Sequence, residues 1–178
     1  MAACRTRTSQ FTSALAERPL PWLYPYREDA QSTRLDAPVF RPFVPISLAH
    51  GEQSTWQLTG LVDTGADAIL ASDLLAEQLE LDLDNPEGEA THAVGGRVVV
   101  ARYKTISLRL HPSDADEGAY REWQTEVGFI DGWHSDGLVL LGSMGFLDHF
   151  TVTASRFAQA IAIEERETFD DRFGVVLA

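Results

Sequence analysis

Short runs in which apolar and polar residues alternate follow one another along most of the chain, separated by glycine, proline and aspartate. Such alternation is typical of β-strands that bury one face. Residues 138–141 are instead wholly apolar and lie between glycines, as expected of a strand that is buried on both faces. The pattern predicts a mainly β domain, with strands at residues 40–48, 56–62, 91–94, 97–110, 123–130, 138–141, 150–153 and 160–163.

Helical periodicity is confined to short segments. Ser72 is a predicted N-cap, and the leucines that follow it are spaced for one helical face, so a helix is expected to begin there and to end near Leu81. A second short helix is expected within residues 142–150. One or two short helices therefore accompany the predicted strands.

The two ends of the chain differ from its middle. Residues 1–36 are polar or interrupted by prolines, which cannot donate to a sheet, so they are predicted to form an extended N-terminal arm whose aromatic side chains dock on the domain surface. Residues 37–164 form the predicted domain. Residues 165–178 form a predicted tail, whose apolar end is a candidate dimer contact.

Composition limits the classes of partner. With 178 residues and 44% hydrophobic content, the chain is predicted to fold as one domain. The 27 acidic and 14 basic residues give a net charge of -13, which opposes binding to nucleic acid or to an anionic membrane surface. The lone Cys4 and the absence of a secretion signal or a membrane-spanning apolar run predict a cytoplasmic protein.

One carboxylate has an unusual setting. Asp63 follows the apolar residues Leu61 and Val62 and precedes Thr64 and Gly65, so it comes at the end of a strand, in a tight turn. An ionised carboxylate at the edge of a hydrophobic core is unfavourable unless its charge is used. The alternative interpretation is that Asp63 only stabilises the turn or caps a helix.

If Asp63 is catalytic, the working protein is expected to be a homodimer. Hydrolysis through carboxylates acting as acid and base uses two of them about 3 Å apart, because they must share one proton. The sequence contains only one such segment. Each chain of a symmetric pair would therefore contribute one Asp63 to a site on the two-fold axis.

The segment Asp63-Thr64-Gly65-Ala66 resembles the catalytic motif of the retropepsin-like aspartic proteases, which include retroviral proteases and the protease domain of the DNA-damage-inducible proteins. The triplet alone is a weak signal. The resemblance extends over residues 39–163 and implies a closed β-barrel of the retropepsin type with aspartic endopeptidase activity. The family has a second signature, a buried strand that ends in glycine before a short helix. The chain resembles this signature at Leu140, Leu141, Gly142, Phe146 and Leu147.

The same resemblance implies roles for the residues of the motif. Asp63, Thr64 and Gly65 would be the catalytic residues: Asp63 activates water, Thr64 hydrogen-bonds across the dimer axis, and Gly65 lets the substrate backbone approach. Ala66 and Asp67 would contact the substrate. Ala66 stands where pepsin-like enzymes carry Ser or Thr, and the missing hydroxyl predicts a less acidic pH optimum than that of pepsin.

A flap is expected at Ala93-Val94-Gly95-Gly96, which lie where the family carries one and complete the predicted substrate-binding residues. The two glycines would let a hairpin tip close over an extended peptide and exclude water. The same dipeptide also forms ordinary surface turns, so the flap is a hypothesis that depends on its position after the Asp63 motif.

The sequence departs from the retroviral pattern at one position of the second signature. Retroviral members carry Arg after the signature glycine, where it pairs with the carboxylate corresponding to Asp67; this chain has Ser143. The network that supports the dimer is therefore expected to differ. The hairpin of residues 151–163 resembles that of the DNA-damage-inducible type and is the predicted subunit interface.

Two other functions remain open at this point. The chain could be a catalytically silent peptide-binding or dimerisation module of the same fold, or a single-chain protein whose N-terminal arm covers the site until it is trimmed. Other polar residues show no catalytic pattern: the histidines, including His92, lack metal-ligand spacing, so no metal or cofactor is predicted. Asp131-Gly132 and His134-Ser135-Asp136 are predicted turns.

Overall fold

The computed structural model of the protein describes residues 21–30, 37–113, 119–133 and 137–173. Its helices are α1 (Asp73–Gln78) and α2 (Arg166–Phe173), and a short helical segment spans Ser143–Leu147. Its strands are β1 (Trp22–Pro25), β2 (Arg27–Glu28), β3 (Phe40–Arg41), β4 (Phe43–His50), β5 (Gln53–Ser54), β6 (Leu58–Val62), β7 (Leu70–Ser72), β8 (Gly88–Val94), β9 (Arg97–Leu110), β10 (Arg121–Ile130), β11 (Leu138–Leu141), β12 (Phe150–Ser155) and β13 (Ala160–Glu165).

Six of the described strands form a closed barrel, in the order β4, β6, β11, β7, β10, β9 and back to β4. The ring closes where Ile46 to Ala49 of β4 pair with Leu110 to Ser107 of β9. The barrel is mixed, because β11 runs parallel to β6 and β7 runs parallel to β10. The predicted fold class, a mainly β domain with a closed barrel and short helices, is confirmed.

Alternate side chains of the strands fill the barrel interior. Leu48, Leu108, Val139 and Leu141 are fully buried, and each such side chain contributes roughly 1.5–3 kcal/mol to folding. In β11 the alternation is complete, because Leu140 is only half-buried and faces the other way. The apolar run at residues 138–141 is therefore not buried on both faces. One face lies in the core, and Leu140 on the other face borders a cleft.

Part of the predicted arm belongs to the core. β1 pairs with β13 at the edge of a three-stranded sheet with the order β1, β13, β12. Trp22 and Tyr24 are only 4% and 1% exposed, and Tyr24 Oη donates a hydrogen bond to the His111 carbonyl oxygen at 2.7 Å. Trp22 and Tyr24 thus fill the core instead of docking on its surface, whereas Tyr26 is half-buried against it. The edge position suits a strand that ends in Pro25.

The helices agree with the sequence in part. The Ser72 hydroxyl accepts a hydrogen bond from the Leu74 N–H at 3.3 Å, so the predicted N-cap is confirmed, but α1 already ends at Gln78. The helical segment Ser143–Leu147 is kinked at its second and third residues. α2 was not predicted, because its sequence has no apolar periodicity. Among the described residues, no helix has the length and the apolar composition that a membrane span requires.

Several predicted features lie outside the described residues. These are residues 1–20 and 31–36 of the arm, the turn at residues 134–136 and the apolar end of the tail at residues 175–177. The division of the chain into arm, domain and tail therefore stays a prediction.

Candidate active site

The loop that carries Asp63 begins where two parallel strands end side by side. Val62 of β6 pairs with Leu141 of β11, and the Asp63 N–H continues this ladder by donating to the Leu141 carbonyl oxygen at 3.1 Å. The chain then turns sharply, since the Ala66 N–H donates to the Asp63 carbonyl oxygen at 3.1 Å. The Gly65 N–H donates to Asp63 Oδ1 at 2.9 Å. The half-buried carboxylate is therefore oriented by the turn that it starts.

The second signature packs directly against this loop. The Ser143 N–H donates to the Ala66 carbonyl oxygen, and the Met144 N–H donates to the Asp67 carbonyl oxygen, both at 2.8 Å. Gly142 lies so close to the loop that a Cβ at this position would be 2.4 Å from the Ala68 carbonyl oxygen. The two sequence motifs are thus parts of one local structure, in which glycine lets the backbones meet.

The predicted flap is a hairpin formed by β8 and the first part of β9. Gly95 and Gly96 make its turn with φ angles of +58° and +78°, a left-handed conformation that favours glycine. Val94 and Arg97 are the last pair of the ladder before the turn. We refer to residues 91–97 as the flap.

A cleft of about 320 Å³ lies between the Asp63 loop and the flap. The predicted catalytic Asp63 and the flap residues therefore border the same space, which no sequence argument could establish. Thr64 and Gly96 do not line it. The lining residues are Asp63, Gly65, Ala66, Asp67, Leu70, Thr91, His92, Ala93, Val94, Gly95 and Leu140.

Four lining residues were not predicted from the sequence. Leu70 and Leu140 pair with each other across β7 and β11, and in the sequence they look like ordinary core leucines. Thr91 and His92 precede the flap motif on β8. The period-two pattern could have indicated that Leu140 faces away from its buried neighbours, but only the barrel shows that this face borders a cleft.

Asp67 is an exposed carboxylate in the cleft. It forms no ion pair with any basic side chain of the described residues. Position 143 contacts the Asp63 loop through its backbone N–H, which donates to the Ala66 carbonyl oxygen. The Asp67 side chain is therefore open to a ligand in the cleft.

His92 makes a side-chain hydrogen bond at the edge of the cleft. Its Nε2 lies 2.6 Å from Tyr103 Oη. Burial raises the pKa of Tyr103, and the nearby negative charges of Glu126 and Asp67 raise it further. The phenol therefore keeps its proton at and below neutral pH and can donate it to a neutral imidazole.

The cleft is lined by two carboxylates, those of Asp63 and Asp67, and the described residues form no cluster of metal ligands. Within the described ranges, no group of three or more His, Cys, Asp or Glu side chains is placed to hold a metal ion. The Asp131-Gly132 segment is a turn, as predicted, and Gly132 has a φ of +65°. The Asp63 carboxylate, which borders the cleft, can exchange a proton with a water molecule there.

No family model matches the chain, and no curated protein matches it. Among solved structures, the chain is similar to a retropepsin-like aspartic protease from Rickettsia conorii. The match covers 68% of this chain and 88% of that chain, with 18% sequence identity and a TM-score of 0.46. The similarity concerns the fold alone.

Proposed function

We propose that this protein is an aspartic endopeptidase that works as a homodimer. The observation that carries the proposal is the setting of Asp63, whose carboxylate is oriented by the Gly65 N–H at 2.9 Å and borders a cleft beneath a glycine-tipped hairpin. The sequence contains one loop of this kind, so a second chain must supply the other carboxylate.

The proposed chemistry needs no covalent intermediate. Two Asp63 carboxylates on a shared axis hold one proton between them, because two like charges so close cannot both ionise favourably. The ionised carboxylate takes a proton from water as the water oxygen attacks the peptide carbonyl carbon, while the protonated one gives its proton to the carbonyl oxygen. The attack gives a tetrahedral diol. As its C–N bond breaks, the protonated carboxylate gives its proton to the leaving amine, and the other carboxylate takes a proton from a hydroxyl group of the diol as the C=O bond re-forms. The dyad is then left with one shared proton, as at the start.

The neighbours of Asp63 suit the roles that the resemblance implies. Thr64 is exposed and does not line the cleft, which suits a contact with the second chain. Gly65 and Ala66 are small and leave room for a peptide backbone above the carboxylate. On the opposite side, Ala93 and Val94 border the space in which an extended peptide would lie.

We also propose that the hairpin of β12 and β13 forms the subunit contact. β12 lies at the edge of its three-stranded sheet, and an edge strand offers unpaired backbone groups to a partner. Phe157, in the turn of this hairpin, is fully exposed at 101%. A single exposed phenylalanine is not a patch, so the proposal rests on the strand edge, and Phe157 is the side chain at the hairpin tip with which it can be tested.

Replacing Phe157 with Ser is expected to weaken the dimer. Burying a phenylalanine contributes roughly 1.5–3 kcal/mol, so we expect the dissociation constant to rise at least about tenfold. Sedimentation equilibrium measures it directly. Leu74→Ser is the matched control, because Leu74 is also exposed, at 51%, but lies on α1. An unchanged dissociation constant in the Phe157 variant would exclude this hairpin tip from the interface.

Digestion of a peptide library from about pH 3 to about pH 8, with a measurement of mass in solution, tests the proposed function. Cleavage by a dimer supports the endopeptidase. Peptide binding without cleavage supports the silent binding module. A strictly monomeric protein with no partner excludes the shared dyad.

The structure changes how an inhibitory arm can be tested. Removing residues 1–36 would also remove the buried Trp22 and Tyr24 and destabilise the core. A variant that lacks only residues 1–20 keeps β1 intact. Higher activity of this variant than of the full chain would indicate that the arm limits access to the site, and equal activity would exclude this.

A cytoplasmic location without nucleic-acid or membrane partners is part of the same proposal. It is supported by the net charge of -13 and the single cysteine. The expected ligand of the cleft, under the proposed endopeptidase function, is a peptide or protein.

A further inference from the structure

The flap has little backbone support from the barrel. Among the described strands, β8 is the last in its sheet and pairs only with β9. Most of its side chains are exposed. A two-stranded hairpin of this kind can swing about its base as a unit. Its height above Asp63 therefore depends on side-chain contacts.

Besides the apolar packing of Val94, a side-chain hydrogen bond crosses from the flap to the part of β9 that belongs to the barrel. His92 lies opposite Val99 near the tip of the hairpin, whereas Tyr103 lies at its base, between Gly88 of β8 on one side and Gly128 of β10 on the other. Their side chains meet at 2.6 Å between Nε2 and Oη. Among the described residues, β8 makes no other side-chain hydrogen bond. Because this bond runs diagonally across the hairpin, we call it the brace.

The tyrosine end of this contact is held in place by packing. A Cβ at Gly128 would lie 3.0 Å from Tyr103 Cζ and 3.0 Å from Leu70 Cδ2. Because residue 128 is glycine, the phenol ring can pack directly on β10. The ring lies beside Leu70, which lines the cleft. Tyr103 thus connects the flap to the wall that also carries Leu70.

We propose that His92 and Tyr103 hold the flap at the height at which it covers a bound peptide, and that both are positioning residues for cleavage. The effect on cleavage rests on the proposed function. The brace itself is a property of the free protein and can be measured without any substrate.

Tyr103→Phe tests the brace, because it removes the hydroxyl and keeps the ring. We expect amide hydrogen exchange of the flap, residues 91–97, to accelerate about three- to tenfold, as the loss of one net hydrogen bond implies. KM for a cleaved peptide should rise by a similar factor, while kcat changes less than about twofold. Tyr120→Phe is the matched control, since Tyr120 contacts His111 at a ring distance of 5.8 Å elsewhere in the chain.

Two substitutions of His92 separate the hydrogen bond from general packing. The amide of Gln reaches about as far as Nε2 of the imidazole, so His92→Gln should keep exchange and KM close to those of the unmodified protein. His92→Leu keeps bulk without a polar group and should behave like Tyr103→Phe. Rescue by Gln but not by Leu would assign the effect to the hydrogen bond.

Equal flap exchange in the unmodified protein, Tyr103→Phe and His92→Leu would overturn the brace. This outcome differs from failure of the proposed function. A protein that cleaves no peptide would refute the endopeptidase, while the exchange measurement would still decide whether the brace exists. Faster exchange with an unchanged KM would show that the brace does not position the flap for substrate.

Discussion

Replacing Asp63 with Asn is expected to reduce peptide hydrolysis by about a thousandfold or more, with the dimer intact. Each chain of the dimer would lose its carboxylate, so the site would have neither the base that takes a proton from water nor the acid that protonates the carbonyl oxygen. The Asn side chain has almost the same shape as that of Asp. Its amide oxygen can still accept the hydrogen bond that the Gly65 N–H donates to Asp63 Oδ1 at 2.9 Å. The loss would therefore come from chemistry and not from misfolding.

The measurement compares kcat/KM for a cleaved peptide and mass in solution between the two proteins. Asp84→Asn is the matched control, because it makes the same chemical change at an exposed position that does not line the cleft. We expect this control to keep full activity. Cleavage that persists in the Asp63 variant would show that another group, or another protein in the sample, hydrolyses the peptide.

The second large effect is expected for Gly142→Ala. The added Cβ would lie 2.4 Å from the Ala68 carbonyl oxygen, 2.6 Å from the Ala66 carbonyl oxygen and 2.7 Å from the Ala68 nitrogen. All three atoms belong to backbone, which cannot rotate away as a side-chain end can. Overpacking of this kind lowers the free energy of unfolding by about 1–3 kcal/mol or more. The backbone that must move to make room belongs to the loop that carries Asp63. We therefore expect loss of both stability and activity.

Urea denaturation at a fixed protein concentration measures the stability change, and the peptide assay measures the activity. Gly88→Ala is the control, because a Cβ there would meet only Tyr103 Cβ, at 4.0 Å. Its free energy of unfolding should change by less than about 0.5 kcal/mol. If Gly142→Ala were as stable as this control, the close contact between the two motifs would not exist in solution.

Much of the fold could be predicted because its signals are local. Alternation of apolar and polar residues depends only on the pleat of a strand, and it located most of the described strands. Ser72 caps α1 through its own hydroxyl, and Gly95 and Gly96 turn the flap through their own backbone freedom. The arm was harder to interpret, because prolines suggested a loose segment while Trp22 and Tyr24 are core residues.

The site was predictable only to the extent that it forms a motif. Asp63 and its loop are contiguous, and the resemblance to a known family added the flap. His92, Leu70 and Leu140 were missed because a histidine in a strand and leucines in apolar runs have no distinguishing neighbours. Their role arises from a cleft formed by segments that are far apart in the chain.

The amino-acid order alone therefore determined most of the strands and the sharp turn at Asp63, because each of these depends on neighbouring residues. The proposal that a second chain supplies a carboxylate also comes from the sequence, because it rests on a simple count of one such segment. Closure of the barrel by β4 and β9, the seating of Gly142 against the Asp63 loop and the meeting of His92 with Tyr103 were decided by the tertiary structure. These contacts join distant segments, and their geometry follows from how the whole sheet curls and packs.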